Sequence, residues 1–191
     1  MYAKPQTRQR IKTKDMILCS IFTALIIVGA FIRIPIPFVP FTLQVMFTNL
    51  AGLMLGSRLG SLSVLVYVLL GLSGVPVFTA GGGIGYIFSP TFGYLLGFIV
   101  GAYAAGKIVE KDDNVSLSKY LLASAVNLLI VYTMGVLYMY LIRNFYVGDG
   151  MSLKNAIYYG FLIPLPGDVI TVVLSSMLLK KIMPVIKKGG Y

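Results

Sequence analysis

No histidine occurs anywhere in this chain, and there is a single cysteine. Those two absences remove most metal and redox chemistry at once. Zinc and haem sites need sets of histidine or cysteine ligands, which are missing, so no metal or other cofactor is expected. Cys19 lies in a long apolar run with no second thiol to pair with, which rules out a disulfide framework. Charge is scarce too: only 12% of the 191 residues are charged, against about 25% in a soluble domain, while 58% are hydrophobic. This is the composition of an integral membrane protein, read here as a single membrane domain over residues 1–191.

What charge there is carries one sign. Sixteen Lys and Arg oppose six acids, a net charge of +10. A nucleic-acid partner is not implied, because the basic residues cluster at the ends of apolar segments, the pattern of cytoplasmic loops against anionic lipid. Charge-free runs predict six spans, at roughly 16–33, 42–57, 59–75, 90–107, 120–142 and 164–183. The basic N-terminal segment 1–14 has the look of a signal-peptide n-region, but the apolar run after it is long and offers no cleavage site, so it reads as a retained first span. Six spans leave both termini on one side of the membrane. On that side fall thirteen of the Lys and Arg residues; Arg33, Arg143 and Lys154 fall on the other. The positive-inside rule therefore predicts cytoplasmic termini.

The three outward connections are the unusual ones. Arg33–Pro40 reads RIPIPFVP, which prolines keep extended. Residues 76–89 carry Gly81, Gly82, Gly83 and Gly85 within five positions, inside a stretch from 59 to 106 that has no charge at all. Irregular backbone at such depth survives only where it is buried in protein or lines a cavity. The third connection, 143–163, is long and aromatic and reads as a lid. Elsewhere, small residues recur four apart. Gly93, Gly97, Gly101 and Ala105 predict a flat packing stripe, as do Gly52, Gly56 and Gly60. The segment Gly56–Gly60 also reads as a tight inward turn. Ser20 and Ala24 on the first span admit either internal packing or an exposed docking stripe for a partner helix.

Asp168 is the one acid within a predicted span, and a carboxylate there is costly unless paired or hydrated. It follows Pro164, Pro166 and Gly167, so it sits about one turn, roughly 6 Å, into the sixth helix, where the positive dipole end favours an anion. It either touches a ligand or merely caps the helix and pairs with a base. Gln44, Asn49 and Asn127 are the amides that can meet it, or else bond neighbouring helices. Tyr86 and Tyr94 flank the Ser89-Pro90 helix start, as interface anchors or as ligand walls. The glycines match neither the P-loop nor the dinucleotide fingerprint. Their open backbone suits a small hydrogen-bonding ligand. Enzymatic sets are absent: no Ser/His/Asp group, no HExxH and no carboxylate pair within one span.

Five segments run in order through these spans: FTLQ at 41–44, GVPVF at 74–78, the AGGGIGY loop, SPTFGYLLGF at 89–98 and PLPGD at 164–168. Together they resemble the BioY family, the biotin-specific substrate-binding subunits (S components) of energy-coupling factor (ECF) vitamin transporters. The resemblance implies an all-α membrane protein of six transmembrane helices with irregular outward loops, in a prokaryotic cell membrane. It implies biotin as the substrate, held near the outer face. It also implies a transmembrane coupling protein with two cytoplasmic ATPases as partners, and docking to that protein through Ser20 and Ala24. On this reading Asp168 accepts from the ureido ring. Gln44, Asn127 and the amides of Gly82 and Gly83 complete its bonds, and Tyr86, Phe92 and Tyr94 wall the rest. One position departs from the family: Thr171 stands where a lysine commonly follows the aspartate, leaving Arg33, Arg143 or Lys154 as possible basic substitutes. A biotin precursor or another vitamin is the nearest alternative ligand. A small channel, a self-sufficient carrier or a membrane enzyme using Asp168 are alternatives of a different class, although no charge rings or inverted repeat are visible.

Overall fold

The computed structural model describes residues 12–188, so the basic residues Lys4, Arg8 and Arg10 of the N-terminal segment lie outside the described residues. Among those described, five helical stretches are long and apolar enough to cross a membrane: Thr13–Phe31, Gln44–Leu72, Phe92–Val109, Leu117–Val147 and Leu153–Ile186.

Helix α1 (Thr13–Phe31) opens with Asp15 accepting the Lys12 backbone N–H at 2.9 Å. It stops where the proline-rich segment begins. That segment is extended as predicted. Arg33–Ile34 (β1) and Phe41–Thr42 (β2) pair antiparallel, Arg33 opposite Thr42 and Ile34 opposite Phe41. At the tip Phe38 has φ 68°, a left-handed conformation that a phenylalanine keeps only where its surroundings fix it. Its ring is held by the Arg143 guanidinium, 4.3 Å above it, and by the edge of Tyr159, 5.0 Å away.

The sequence predicts two spans over the region of α2 (Gln44–Leu72), a helical stretch interrupted at Gly56. It is not straight. Gly56, at φ 80° and ψ −179°, takes a conformation that only glycine adopts without strain, and there the chain reverses. Gln44 Nε2 donates to the Tyr67 hydroxyl at 2.7 Å, although a continuous helix would hold residues 23 apart about 35 Å away from each other. Residues 44–55 and 57–72 are therefore antiparallel neighbours. A methyl on Gly60 would lie 2.6 Å from the Gly52 Cα, which shows how close they run. Gly56 is thus a turn and not a member of the Gly52–Gly60 packing stripe. Glu110 fastens this turn: its Oε2 accepts from the Ser57 backbone N–H (3.1 Å) and hydroxyl, and its Oε1 from Lys107 at 2.6 Å. Burial alone would raise the pKa of this carboxyl, but those bonds outweigh it and hold it at about 2.

Helix α3 (Phe92–Val109) is the most enclosed span, packed on α2 and on α4 (Leu117–Ile142). The glycine stripe makes this possible. A methyl at Gly93 would collide with Tyr138 Cβ, and one at Gly97 would fall 2.8 Å from Val131 Cα, so α3 and α4 meet almost backbone to backbone. Beyond α4 the predicted lid is mostly helical: a π-turn at Arg143–Val147, the short α5 (Leu153–Ile157) and a second π-turn at Tyr158–Leu162. Helix α6 (Leu165–Lys188) follows, with Pro164 and Pro166 at its start, where missing N–H donors cost nothing. Low in the bundle, Asn49 joins three helices. Its Nδ2 donates to Ser124 Oγ (2.9 Å) and Ser175 Oγ (3.4 Å), and its Oδ1 accepts from Asn127 Nδ2 (3.1 Å). In a membrane such bonds hold helices together.

Candidate functional site

The three connections predicted to face outward converge. Phe38 of the ribbon meets Tyr159, and Phe88 beside the glycine loop stacks on Tyr146 at 4.6 Å. Beneath them lies a pocket with about 550 Å³ of space not filled by atoms, its open mouth included. Its walls come from four places: Val39 to Thr42, Gln44 and Val45 around β2; Thr79 and Tyr86 from the glycine-rich loop; Thr91, Tyr94, Leu95 and Phe98 at and within the start of α3; and Val131, Tyr132, Pro164 and Asp168 from α4 and the start of α6.

Asp168 is the only charged residue in that wall and is 4% exposed. Its Oδ2 accepts the Tyr132 hydroxyl at 2.5 Å. Its Oδ1 is buried without a partner among the described residues. An ionisable group in that state is set to accept a hydrogen bond from whatever fills the cavity. Helix geometry favours a carboxylate here: α6 begins at Leu165, so Asp168 lies in its first turn, near the positive dipole end.

A second polar feature stands on the α3 side. The Tyr86 hydroxyl lies 3.1 Å from both Thr79 Oγ1 and Thr91 Oγ1, and Thr91 Oγ1 lies 2.9 Å from Ser89 Oγ. This chain of hydroxyls can donate or accept as a ligand requires. Gln44 is more constrained, since its amide nitrogen is engaged by Tyr67 and its oxygen accepts from Thr42 Oγ1 at 3.4 Å. Tyr94 donates to the Gly160 carbonyl at 2.7 Å, so its ring walls the cavity while its hydroxyl ties the lid to α3.

Of the predicted contact residues, Asp168, Gln44, Tyr86 and Tyr94 are brought to this one cavity. Four are not. Asn127 is fully buried in the Asn49 cluster, with its Oδ1 turned toward the Gly101 backbone. Phe92 packs on Tyr138, ring centroids 5.9 Å apart. The glycine amides turn inward on their own loop. Gly83 N–H donates to the Gly71 carbonyl at 2.7 Å, and Gly82 lies so close to the Val75 carbonyl that a methyl would collide with it. The loop closes on itself and offers Thr79 and Tyr86 instead. Thr79, Thr91 and Tyr132 escape sequence reasoning, because hydroxyl residues in apolar spans are too common to single out. Ser20 and Ala24 are exposed on the outer face of α1. Thr171 is buried, its hydroxyl donating to the Asp168 carbonyl at 2.9 Å. Among the outward cations, Arg33 donates to the Thr79 carbonyl, Arg143 pairs with Asp149, and Lys154 is exposed.

A helical membrane protein with a cavity under the loops at one end and one unpartnered carboxylate oxygen in its wall has the form of a small-solute binding protein. Comparison with known proteins narrows this. The profile of the BioY family matches residues 4–188, and the chain belongs to that family. It is 38% identical over 177 residues to a probable biotin transporter BioY of Lysinibacillus sphaericus, covering 93% of this chain and 90% of that one. A biotin transporter BioY of Thermotoga maritima is 43% identical over 166 residues, 86% and 93% of the two chains. A crystal structure of the S-component for biotin from an ECF-type ABC transporter superposes with a TM-score of 0.78 at 25% identity, covering 94% of each chain. The family comprises transporter subunits and not enzymes, so a catalytic role for Asp168 falls away.

Proposed function

We propose that this chain is the biotin-binding subunit of an ECF-type uptake system, a single membrane domain that captures biotin from outside the cell. The observation that carries the reading is Asp168 Oδ1, a buried carboxylate oxygen with no described partner, on the one charged residue of the cavity wall. Biotin's ureido ring presents two N–H donors and one carbonyl. A charge-assisted bond from one N–H to Asp168 matches the unpartnered acceptor, and the Thr79–Tyr86–Thr91 hydroxyls suit the rest of the ring. Leu95, Phe98 and Val131 supply walls for the thiophane ring and valeryl chain.

The hairpin at Gly56 supports six membrane crossings, and the distribution of Lys and Arg supports cytoplasmic termini. Uptake then requires a transmembrane coupling protein and two cytoplasmic ATPases, with Ser20 and Ala24 on the docking face. Asp168→Asn replaces a charged acceptor by a neutral amide and loses at least about tenfold in biotin affinity by equilibrium binding. Unchanged affinity in a well-folded variant removes Asp168, and this reading of the cavity with it.

A further inference from the structure

Asp168 is the sole charged group in the cavity wall, yet the ligand proposed above ends in a carboxylate. An anion enclosed with a second carboxylate needs a cation nearby. Three outward-side cations are available, and the structure separates them. Arg143 is committed to Asp149 and to the face of Phe38; Arg33 and Lys154 are both exposed and neither lines the cavity, but only Arg33 is bonded to a wall residue.

Arg33 is placed differently. It pairs directly with Thr42 across the two-stranded ribbon, so both side chains stand on one face of it, and Thr42 is in the cavity wall. Its Nη1 donates to the carbonyl of Thr79, another wall residue from the facing loop. The guanidinium therefore bridges the ribbon and the glycine-rich loop at the cavity's edge. A guanidinium has five N–H donors in a planar fork suited to a carboxylate, and one bond to Thr79 leaves most of them for another acceptor.

We infer that Arg33 receives the carboxylate of the ligand and makes the site selective for an anionic tail. This rests on the biotin reading. Asp168 takes the ureido end while Arg33 takes the acid end, so the site discriminates biotin from uncharged relatives of the same shape.

The test is equilibrium binding of biotin and of its primary amide to the purified full-length chain. Wild-type protein binds biotin at least tenfold more tightly than the amide. Arg33→Gln brings the two within twofold by weakening biotin, with amide affinity moving less than twofold. Arg33→Lys, which keeps the charge but loses the fork, retains at least a threefold preference. Undiminished preference in Arg33→Gln overturns the inference, and so does parallel loss of both ligands, which would make Arg33 a loop strap only. A wild-type protein without preference overturns it as well, while leaving the biotin reading standing. Failure of wild-type protein to bind either compound instead overturns the biotin reading, and this inference with it.

Discussion

Asp168 and Tyr132 lie 36 residues apart in sequence and 2.5 Å apart in space. The hydroxyl does two things for the carboxylate. It satisfies Oδ2 and restrains the plane of the group, while Oδ1 stays buried and unpartnered on a residue that lines the cavity. Tyr132 is itself held edge-on between Phe161 at 4.9 Å and Tyr94 at 6.4 Å, which limits its freedom. Tyr132→Phe keeps that packing and removes the donor. It is expected to weaken biotin binding about three- to tenfold, the worth of roughly one hydrogen bond to a charged group, with little change in thermal stability. Titration of both proteins by equilibrium binding checks it. The two residues differ in how readable they are. Asp168 stands out because a carboxylate in an apolar span is rare, whereas a tyrosine there is ordinary and nothing local says which helix it faces. Asn127 is the opposite case. An intramembrane amide signals hydrogen bonding, but only the packing shows that its Nδ2 bonds Asn49 and that it stands outside the cavity wall.

At the scale of elements, the devices are glycines with distinct jobs. Gly93, Gly97 and Gly101 remove side chains where α3 meets α4, and periodicity alone reveals that. Gly56 has the same spacing from Gly52 and Gly60 but serves as a turn, because its φ of 80° is unavailable to other residues without strain. There is room for a side chain: a methyl on Gly56 would meet nothing closer than the Glu110 side chain, at 3.7 Å. Gly56→Ala is therefore penalised for its backbone conformation and not for crowding, by about 1–3 kcal/mol. A lowered midpoint of thermal unfolding in detergent checks this; an unchanged midpoint would mean the turn tolerates alanine. The proline segment and the short paired spans were legible, since proline and charge act locally. The glycine loop was legible as irregular but not in detail. Its amides fold back on Gly71 and Phe78, a closure that depends on the neighbouring helix end.

For the whole molecule, the proposal assigns capture to the end where the cavity lies and partner docking to the flank of α1. Ile17, Ser20, Ile21, Ala24 and Val28 form an exposed strip along that helix, with the two small residues set among larger apolar ones. Ala24→Trp fills the strip far from the cavity, so cellular biotin uptake is expected to be abolished while binding to the purified protein is retained. Loss of both would mean that Ala24 packs internally. The overall architecture was the most legible level, because hydropathy and the sign of charge are summed over many residues. The central claim is that this chain alone recognises biotin. Equilibrium binding of labelled biotin to the purified protein without ATPases, with other vitamins as competitors, tests it most directly. The account predicts a Kd well below about 1 μM and no displacement by unrelated vitamins. Binding no tighter than micromolar, with another vitamin held more strongly, would contradict it.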